Sequence, residues 1–377
     1  METVPIDPSE VNETSHGEGA ARAEPVAVRS SAGASPSPSA VRLELGNTAR
    51  KLARQLFADA AAQQAFLEAL ATPQPYRPAL VWLQPRPPVL PFAVEPPYAW
   101  QPSFVDRISA AQRPGQDPLH EAGHYYCLDI SSVFTAAVLL AAEPPLPVVL
   151  DLCASPGGKS ILAWRAFRPG LLLCNEVIKK RTAALIANLQ RCRIAPATVI
   201  TMDSSRLAAA CPRSANLVIV DAPCSGQSLL VKGQRSPGCF HPATINLNAN
   251  RQRRILANAA QLVAPGGHLA YMTCTYACKE NEQNVEWLVK QQPQFAPARV
   301  PALEAFQSHL TDLPCYRLWP QQGIAAGGFA ALLRNGDDCP VGRCAWETLR
   351  RVWSSTLTSP LVDARIRRTR LSQIACP

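Results

Sequence analysis

The sequence predicts a doubly wound α/β domain on a mostly parallel sheet, preceded by a small Pro-rich N-terminal subdomain. Three observations carry this. Short apolar runs of strand length alternate with helical patterns from Val148 to Arg334, the order that gives parallel strands joined by crossover helices. The first run, V-V-L-D-L from Val148, is apolar almost throughout, as suits a strand buried on both faces. It leads into Ser155-Pro156-Gly157-Gly158, where a chain can turn sharply and let its backbone approach a ligand closely.

Taken in order, residues 1–46 are an acidic leader rich in Ser, Pro, Glu and Gly with few large apolar residues, and are expected to be disordered. Residues 47–122 make the small N-terminal α/β subdomain. Asn47 opens a helical pattern in which Leu52, Leu56, Phe66, Leu67 and Leu70 recur at three- and four-residue steps. Ten prolines between Pro73 and Pro102 exclude long central strands and leave a small, ragged sheet. This part packs against the main domain or guides a substrate, and the sequence leaves both open.

The main domain is residues 123–335. Val133 to Ala141 reads as a helix leading into the opening strand, and Ile161 to Phe167 as the helix after the glycine turn. Then come a strand from Leu171 to Glu176, a helix from Lys179 to Cys192, a strand from Thr198 to Met202 closing on Asp203, and a strand from Asn216 to Asp221. A helix from Asn246 to Leu262 leads through Gly266-Gly267 into a strand from His268 to Cys274. A helix from Glu280 to Gln291 and a last strand from Gly328 to Arg334 complete it. Residues 336–377 are a basic tail with Arg365, Arg367, Arg368 and Arg370, read either as a helix reaching a polyanion or as a solvated end.

Composition narrows the class. At 377 residues, 47% hydrophobic and 17% charged, the chain holds one large domain and a smaller one. A net charge of +9, on a basic body behind the acidic leader, suits a polyanionic partner. Glu2, Asp7, Glu10 and Glu13 stand where a secretory leader would be basic, and the longest apolar run, Val133 to Ala142, is too short for a membrane span. The cytoplasm is the expected compartment. Thirteen unevenly scattered cysteines without a C-x-x-C pair predict reduced thiols and no metal site.

Ligands of an open α/β sheet bind beyond the carboxyl ends of its strands. Four of the predicted strands end there in an acid or a thiol: Glu176, Asp203, Asp221 and Cys274. Glu176 lies roughly twenty residues past the glycine turn, the spacing at which an acid takes ribose hydroxyls. Asp203 is placed to receive an adenine amine. The full G-x-G-x-x-G pattern is absent, which counts against a dinucleotide. Gly158-Lys159-Ser160 imitates the end of an ATPase phosphate loop, but Cys153 stands where that loop needs its first glycine, and Pro156 removes a backbone donor.

D-A-P-C-S-G at Asp221 to Gly226 follows the fourth strand, and T-C-T at Thr273 to Thr275 ends the fifth. Neighbouring strands lie roughly 5 Å apart, so that pairing would bring Cys224 and Cys274 into one pocket, an arrangement suited to nucleophilic chemistry. Cys174 and Cys192 read as small core residues. A zinc deaminase would need H-x-E and a second cysteine at position 227, which is Gln.

D-L-C-A-S-P-G-G-K-S, D-A-P-C-S-G and M-T-C-T-Y together resemble the Nop/Sun family of RNA cytosine-5 methyltransferases, which includes bacterial ribosomal-RNA enzymes. G-H-Y-Y-C-L-D-I-S-S from Gly123, R-L-W-P from Arg317 and the G-G-F-A-A-L-L after it also fit, so the match runs over about 120–335. The resemblance implies a Rossmann-like class I methyltransferase fold and S-adenosylmethionine as cofactor, lying on Cys153, Ala154, Ser155, Pro156, Gly157, Gly158 and Lys159. It places Glu176 on the ribose, Asp203 near the adenine, and Arg181 and Asp221 among the cofactor residues. It makes Cys274 the nucleophile on carbon 6 of cytosine, with Asp221 holding the base, Lys159 positioning it, and Cys224 assisting release. RNA, ribosomal or transfer, is the implied partner of a monomer that needs no metal. Two departures stand out: Leu128 where the family has Gln, and Q-S-L-L-V-K-G at Gln227 to Gly233 in place of small and basic residues.

Overall fold

The computed structural model describes residues 42–344 and 349–355. The expectations for the leader before residue 42 and for the arginines at 365–370 lie outside the described residues. An N-terminal helical pair, α1 (Asn47–Leu56) and α2 (Ala60–Ala71), opens the described chain. Asp59 caps α2 by accepting from the Ala62 N–H at 2.8 Å. The proline-dense stretch then makes β1 (Pro78–Trp82), β2 (Val94–Glu95) and β3 (Val105–Ile108), followed by the short α3 (Pro118–Glu121) and β4 (Tyr125–Asp129). These strands form an antiparallel sheet in the order β2, β3, β1, β4. Pro78 is tolerated as the first residue of its strand. Side chains of β1 alternate: Ala79 and Val81 join the main core, while Leu80 and Trp82 pack with Ile108 and Tyr125 on the other face.

The main domain runs α4 (Ile130–Ala136), β5 (Val148–Asp151), α5 (Gly158–Phe167), β6 (Leu171–Asn175), α6 (Lys179–Arg191), β7 (Ala197–Ile200), α7 (Ser204–Ala210) and β8 (Ala215–Asp221). It continues with α8 (Pro242–Leu262), β9 (Val263–Thr273), α9 (Glu282–Gln291), β10 (Phe295–Pro297), β11 (Cys315–Leu318), β12 (Gly328–Asn335) and β13 (Arg351–Ser355). Among the described residues the sheet order is β10, β12, β9, β8, β5, β6, β7, β13, with β11 also on β12. The pairs from β9 to β7 are parallel, and β12 and β13 flank them antiparallel. This is the doubly wound architecture the alternating pattern predicts.

Period-two alternation builds a core on each face. Val149, Leu172, Ile219 and Ala270 point to the side covered by α4, α5 and α6, and Leu150, Leu173, Val218 and Leu269 to the side of α7, α8 and α9. Winding out from β5 one way to β7, and from β5 through β8 to β9 the other, puts the switch point between β5 and β8. That is where such a sheet opens a crevice.

The N-terminal part packs against the main domain. Arg165 of α5 donates to the Trp82 carbonyl at 2.7 Å, and Arg191 of α6 to the His120 carbonyl at 2.6 Å. Phe66 of α2 lies edge-on to Tyr276, with ring centroids 5.2 Å apart, beyond the end of β9. No helix among the described residues is long and apolar enough to cross a membrane.

Three local expectations change. The helix expected from Asn246 begins at Pro242, whose missing N–H is harmless in a first turn, with the His241 ring capping at 3.2 Å. Arg251, Arg253 and Arg254 therefore lie in mid-helix, and Arg253 is spent on Asn284 at 3.0 Å. The strand expected from His268 begins at Val263, with Gly266-Gly267 inside it at a register shift against β8. Among the described residues the reduced-thiol expectation meets one exception, a disulfide between Cys211 and Cys344.

Candidate active site

The glycine turn closes β5. Asp151, buried at the strand end, accepts from the Ser160 hydroxyl at 2.6 Å and the Cys153 N–H at 3.2 Å. Burial, despite those bonds, pushes its carboxyl up to about 7. Gly157 has φ 111°, the left-handed region that favours glycine, and hands the chain to α5 as its N-cap. A side chain at Gly158 would put its Cβ 2.7 Å from Leu128, so Leu128, where the family has Gln, seals the back of this turn. Burial raises the Cys153 thiol well above the ordinary range, so it stays protonated.

Glu176 is buried just past β6, taking the Ile178 N–H at 2.8 Å on one oxygen and Arg181 at 3.4 Å on the other. Arg181 also donates to the Ser155 carbonyl at 2.8 Å, and the Ser155 hydroxyl returns to the Arg181 carbonyl at 2.9 Å. The cofactor residues expected at 153–159, Glu176 and Arg181 thus form one connected rim. Asp203 stands apart on the surface, its Oδ1 capping α7 through the Ser205 N–H and hydroxyl at 2.9 and 2.6 Å. Asn175 was not singled out by sequence. Its buried amide ties the Leu152 and Met202 carbonyls and the Met202 N–H together, holding three strand ends in register.

Across the switch point, Lys159 from α5 meets Asp221 at the end of β8, Nζ to Oδ2 2.5 Å. Burial works against the Lys159 charge, but the carboxylate outweighs it and the ammonium is held more firmly protonated than usual. Because β8 and β9 pair in parallel, the loops after them are adjacent, and the Cys224 and Cys274 sulfurs lie 3.3 Å apart. The hydrogen bond between the two sulfurs lowers the Cys274 thiol against its burial and against Asp221, with Lys159 and Lys232 assisting, and raises Cys224. Lys232 is largely buried and paired with Asp129 at 3.0 Å.

Sequence reasoning missed the scaffold under the thiols. Arg317 and Glu282, both fully buried, form a two-pronged ion pair, and Arg317 also donates to the Tyr276 carbonyl at 3.0 Å. Tyr276 in turn donates to the Ala326 carbonyl. The R-L-W-P stretch was visible as a motif, but its partner lies 35 residues away on α9.

Comparison with known proteins identifies the family and the fold. Residues 137–334 match the family described as 16S rRNA methyltransferase RsmB/F. The ribosomal RNA small subunit methyltransferase F of Klebsiella pneumoniae is 32% identical over 254 residues, covering 63% of this chain and 53% of its own length. That of Cronobacter sakazakii is 31% identical, covering 63% and 52%. This chain spans about half the length of the curated relatives it matches. Two solved structures from Pyrococcus horikoshii share the fold. One is NSun6, at TM-score 0.59 and 19% identity over 78% of this chain and 99% of that one. The other is a methyltransferase homologue, at TM-score 0.60 and 19% identity over 76% and 93%. The family match covers more than half of the 377 residues, and the chain belongs to the RsmB/F family of 16S rRNA methyltransferases.

Proposed function

We propose that this chain methylates carbon 5 of a cytosine in RNA, most naturally ribosomal RNA, through a covalent adduct on Cys274. The observation that carries the reading is the pair of sulfurs 3.3 Å apart beside the Lys159–Asp221 ion pair. The residues present fit S-adenosylmethionine: a buried carboxylate at Glu176 suits ribose hydroxyls, and exposed Val177 and Ile178 after it offer an apolar face to a purine. When bound, that cofactor supplies the methyl group.

The chain's own residues do the rest. The lowered Cys274 thiol is poised to add to carbon 6, which turns carbon 5 electron-rich. Asp221 accepts from the exocyclic amino group of the base, and the Lys159 ammonium paired with it offsets the negative charge that develops on the ring. Release breaks the bond from carbon 5 to hydrogen. Its proton leaves with the assistance of Cys224, its electron pair restores the double bond, and the Cys274 sulfur departs as thiolate. The target base must leave its stack to reach the sulfur, so loops and single strands are the better substrates. The reading takes a cytoplasmic monomer and requires no metal.

Cys274→Ala should abolish methylation while leaving cofactor affinity unchanged. Cys224→Ala should stall release and leave RNA covalently held, seen as a shifted band on a denaturing gel that the double substitution removes. Normal turnover by Cys274→Ala would sink the reading.

A further inference from the structure

The loops bearing the two thiols are joined by side chains that reach in both directions. From the Cys224 loop, Gln227, fully buried, accepts the Tyr276 and Ala277 N–H groups at 2.8 and 3.0 Å on its carboxamide oxygen. Its amide donates to the Cys239 carbonyl at 2.9 Å. From beyond the Cys274 loop, Glu280, also fully buried, accepts the Ser225 N–H at 2.9 Å. The Ser225 and Thr275 hydroxyls meet at 2.6 Å between them, and the Ser228 N–H reaches the Cys274 carbonyl at 3.2 Å. Gln252 anchors the arrangement from α8, donating to Glu280 at 2.9 Å and to the Pro223 carbonyl at 3.0 Å. Each of these cross-loop ties holds a residue within three positions of a thiol, so the sulfur separation is set by this clasp and not by either strand alone.

We propose that Gln227 is a positioning residue, whose carboxamide holds the Cys274 loop against the Cys224 loop so that the two sulfurs share a hydrogen. Its catalytic meaning rests on the methyltransferase reading above: the clasp keeps Cys224 within reach for release after Cys274 has formed its adduct. Three acceptor and donor demands meet in one side chain, which is why a carboxamide serves where an aliphatic or hydroxyl side chain could not.

The groups facing Cys274 are Cys224, Asp221 from β8, Lys159 from α5 and Lys232 from the loop that follows Cys224. Gln227 carries no charge, so replacing it by Met alters none of these charges and changes the Cys274 thiol only by moving the loops. The test is the pH midpoint of Cys274 alkylation by iodoacetamide, followed by peptide mass spectrometry on the full chain without RNA. Gln227→Met should raise the midpoint by about one pH unit, toward the value given by Cys224→Ala. Ser225→Ala, which removes one hydroxyl and leaves the Gln227 ties in place, should move it less and in the same direction, and it decides the matter should Gln227→Met not fold. An unmoved midpoint in the variants, whether or not Cys224→Ala moves it, overturns the proposal.

With RNA, Gln227→Met should accumulate the covalent adduct and lose turnover by about a hundredfold, the scale of a small misplacement of reacting groups, while a single round of methyl transfer persists. Gln227→Glu keeps the oxygen that takes both N–H groups, and when protonated it also donates to the Cys239 carbonyl. It should restore turnover at low pH and lose it as pH rises. Equal turnover of Gln227→Glu at every pH would overturn the clasp as a positioning device. A wild-type chain that never methylates RNA, with midpoints shifted as expected, would instead remove the methyltransferase reading and leave the clasp.

Discussion

The two rims of the crevice are built differently. The cofactor rim, over β5 and β6, is held by contacts within and between short motifs: Asp151 to Ser160, Ser155 to Arg181, Glu176 to Ile178. The thiol rim, over β8 and β9, is held by buried polar side chains that cross between loops: Gln227 to Tyr276, Glu280 to Ser225, Arg317 to Glu282. A turn that lets backbone approach a small ligand needs glycine and little else. On the proposed reading one of two sulfurs 3.3 Å apart enters and leaves a covalent bond, which calls for loops tied from both sides. Stability on the thiol rim should therefore be more sensitive to single polar substitutions than on the cofactor rim.

The largest expected effect is on the thiol rim. Arg317→Met leaves Glu282 buried without its partner, and breaking such a pair from one side costs about 3–5 kcal/mol. Urea unfolding measures it, and Tyr276, whose carbonyl Arg317 also holds, should loosen with it. A loss below about 1 kcal/mol, the range of surface pairs, would mean that the pair supports little and that the two rims are alike.

The same difference governs what could be read before the fold was known. The glycine turn, the acids at strand ends and the two cysteines are legible because each is a contiguous motif whose chemistry is local. The alternating strands are legible because burial on both faces imposes a pattern. The clasp is not legible, since Gln227 and Tyr276 are 49 residues apart and Glu280 and Ser225 are 55 apart. Nothing in Q-S-L-L-V-K-G announces a partner; its departure from small and basic residues was the only mark on it. β13 was missed for a related reason. Arg351 to Ser355 pairs antiparallel with β7, some 150 residues earlier, and in a tail containing Pro340 and scattered arginines it reads as a solvated end. The start of α8, by contrast, had a signal in Pro242 that the apolar periodicity obscured.

A second prediction concerns Asp151 on the cofactor rim. Its folded carboxyl titrates near 7, above the usual carboxylate range, because burial disfavours its charge. Between about pH 4 and pH 7 the folded chain therefore keeps a proton that the unfolded chain has lost, so this group's contribution to stability falls as pH rises through that window. Asp151→Asn has no such proton and can still accept from Ser160. The variant should gain on the wild type by roughly 3–4 kcal/mol between pH 4 and pH 7 and change little further above it. A constant difference across the range would place Asp151 in a more polar setting than its burial indicates.

The smallest effect tests the one cofactor-rim residue whose position is ambiguous. Asp203 is exposed, and its Oδ1 is engaged as the cap of α7, taking both the N–H and the hydroxyl of Ser205; that bonding holds its carboxyl below the usual range. A cap and an adenine acceptor make different demands. Asp203→Ser keeps a good cap, because a serine hydroxyl accepts from the same first turn, but its short side chain falls back from the crevice. Asp203→Ala loses the cap as well, at about 1 kcal/mol. If Asp203 serves the adenine, both variants should weaken S-adenosylmethionine binding by about tenfold in calorimetry, the scale of one hydrogen bond, while only the alanine variant lowers stability. If it is a cap alone, the serine variant should match the wild type in both measurements. The cofactor rim would then end at Glu176 and Arg181, and the contrast with the thiol rim would sharpen, since every tested residue of the smaller rim would lie within the turn and the strand beside it.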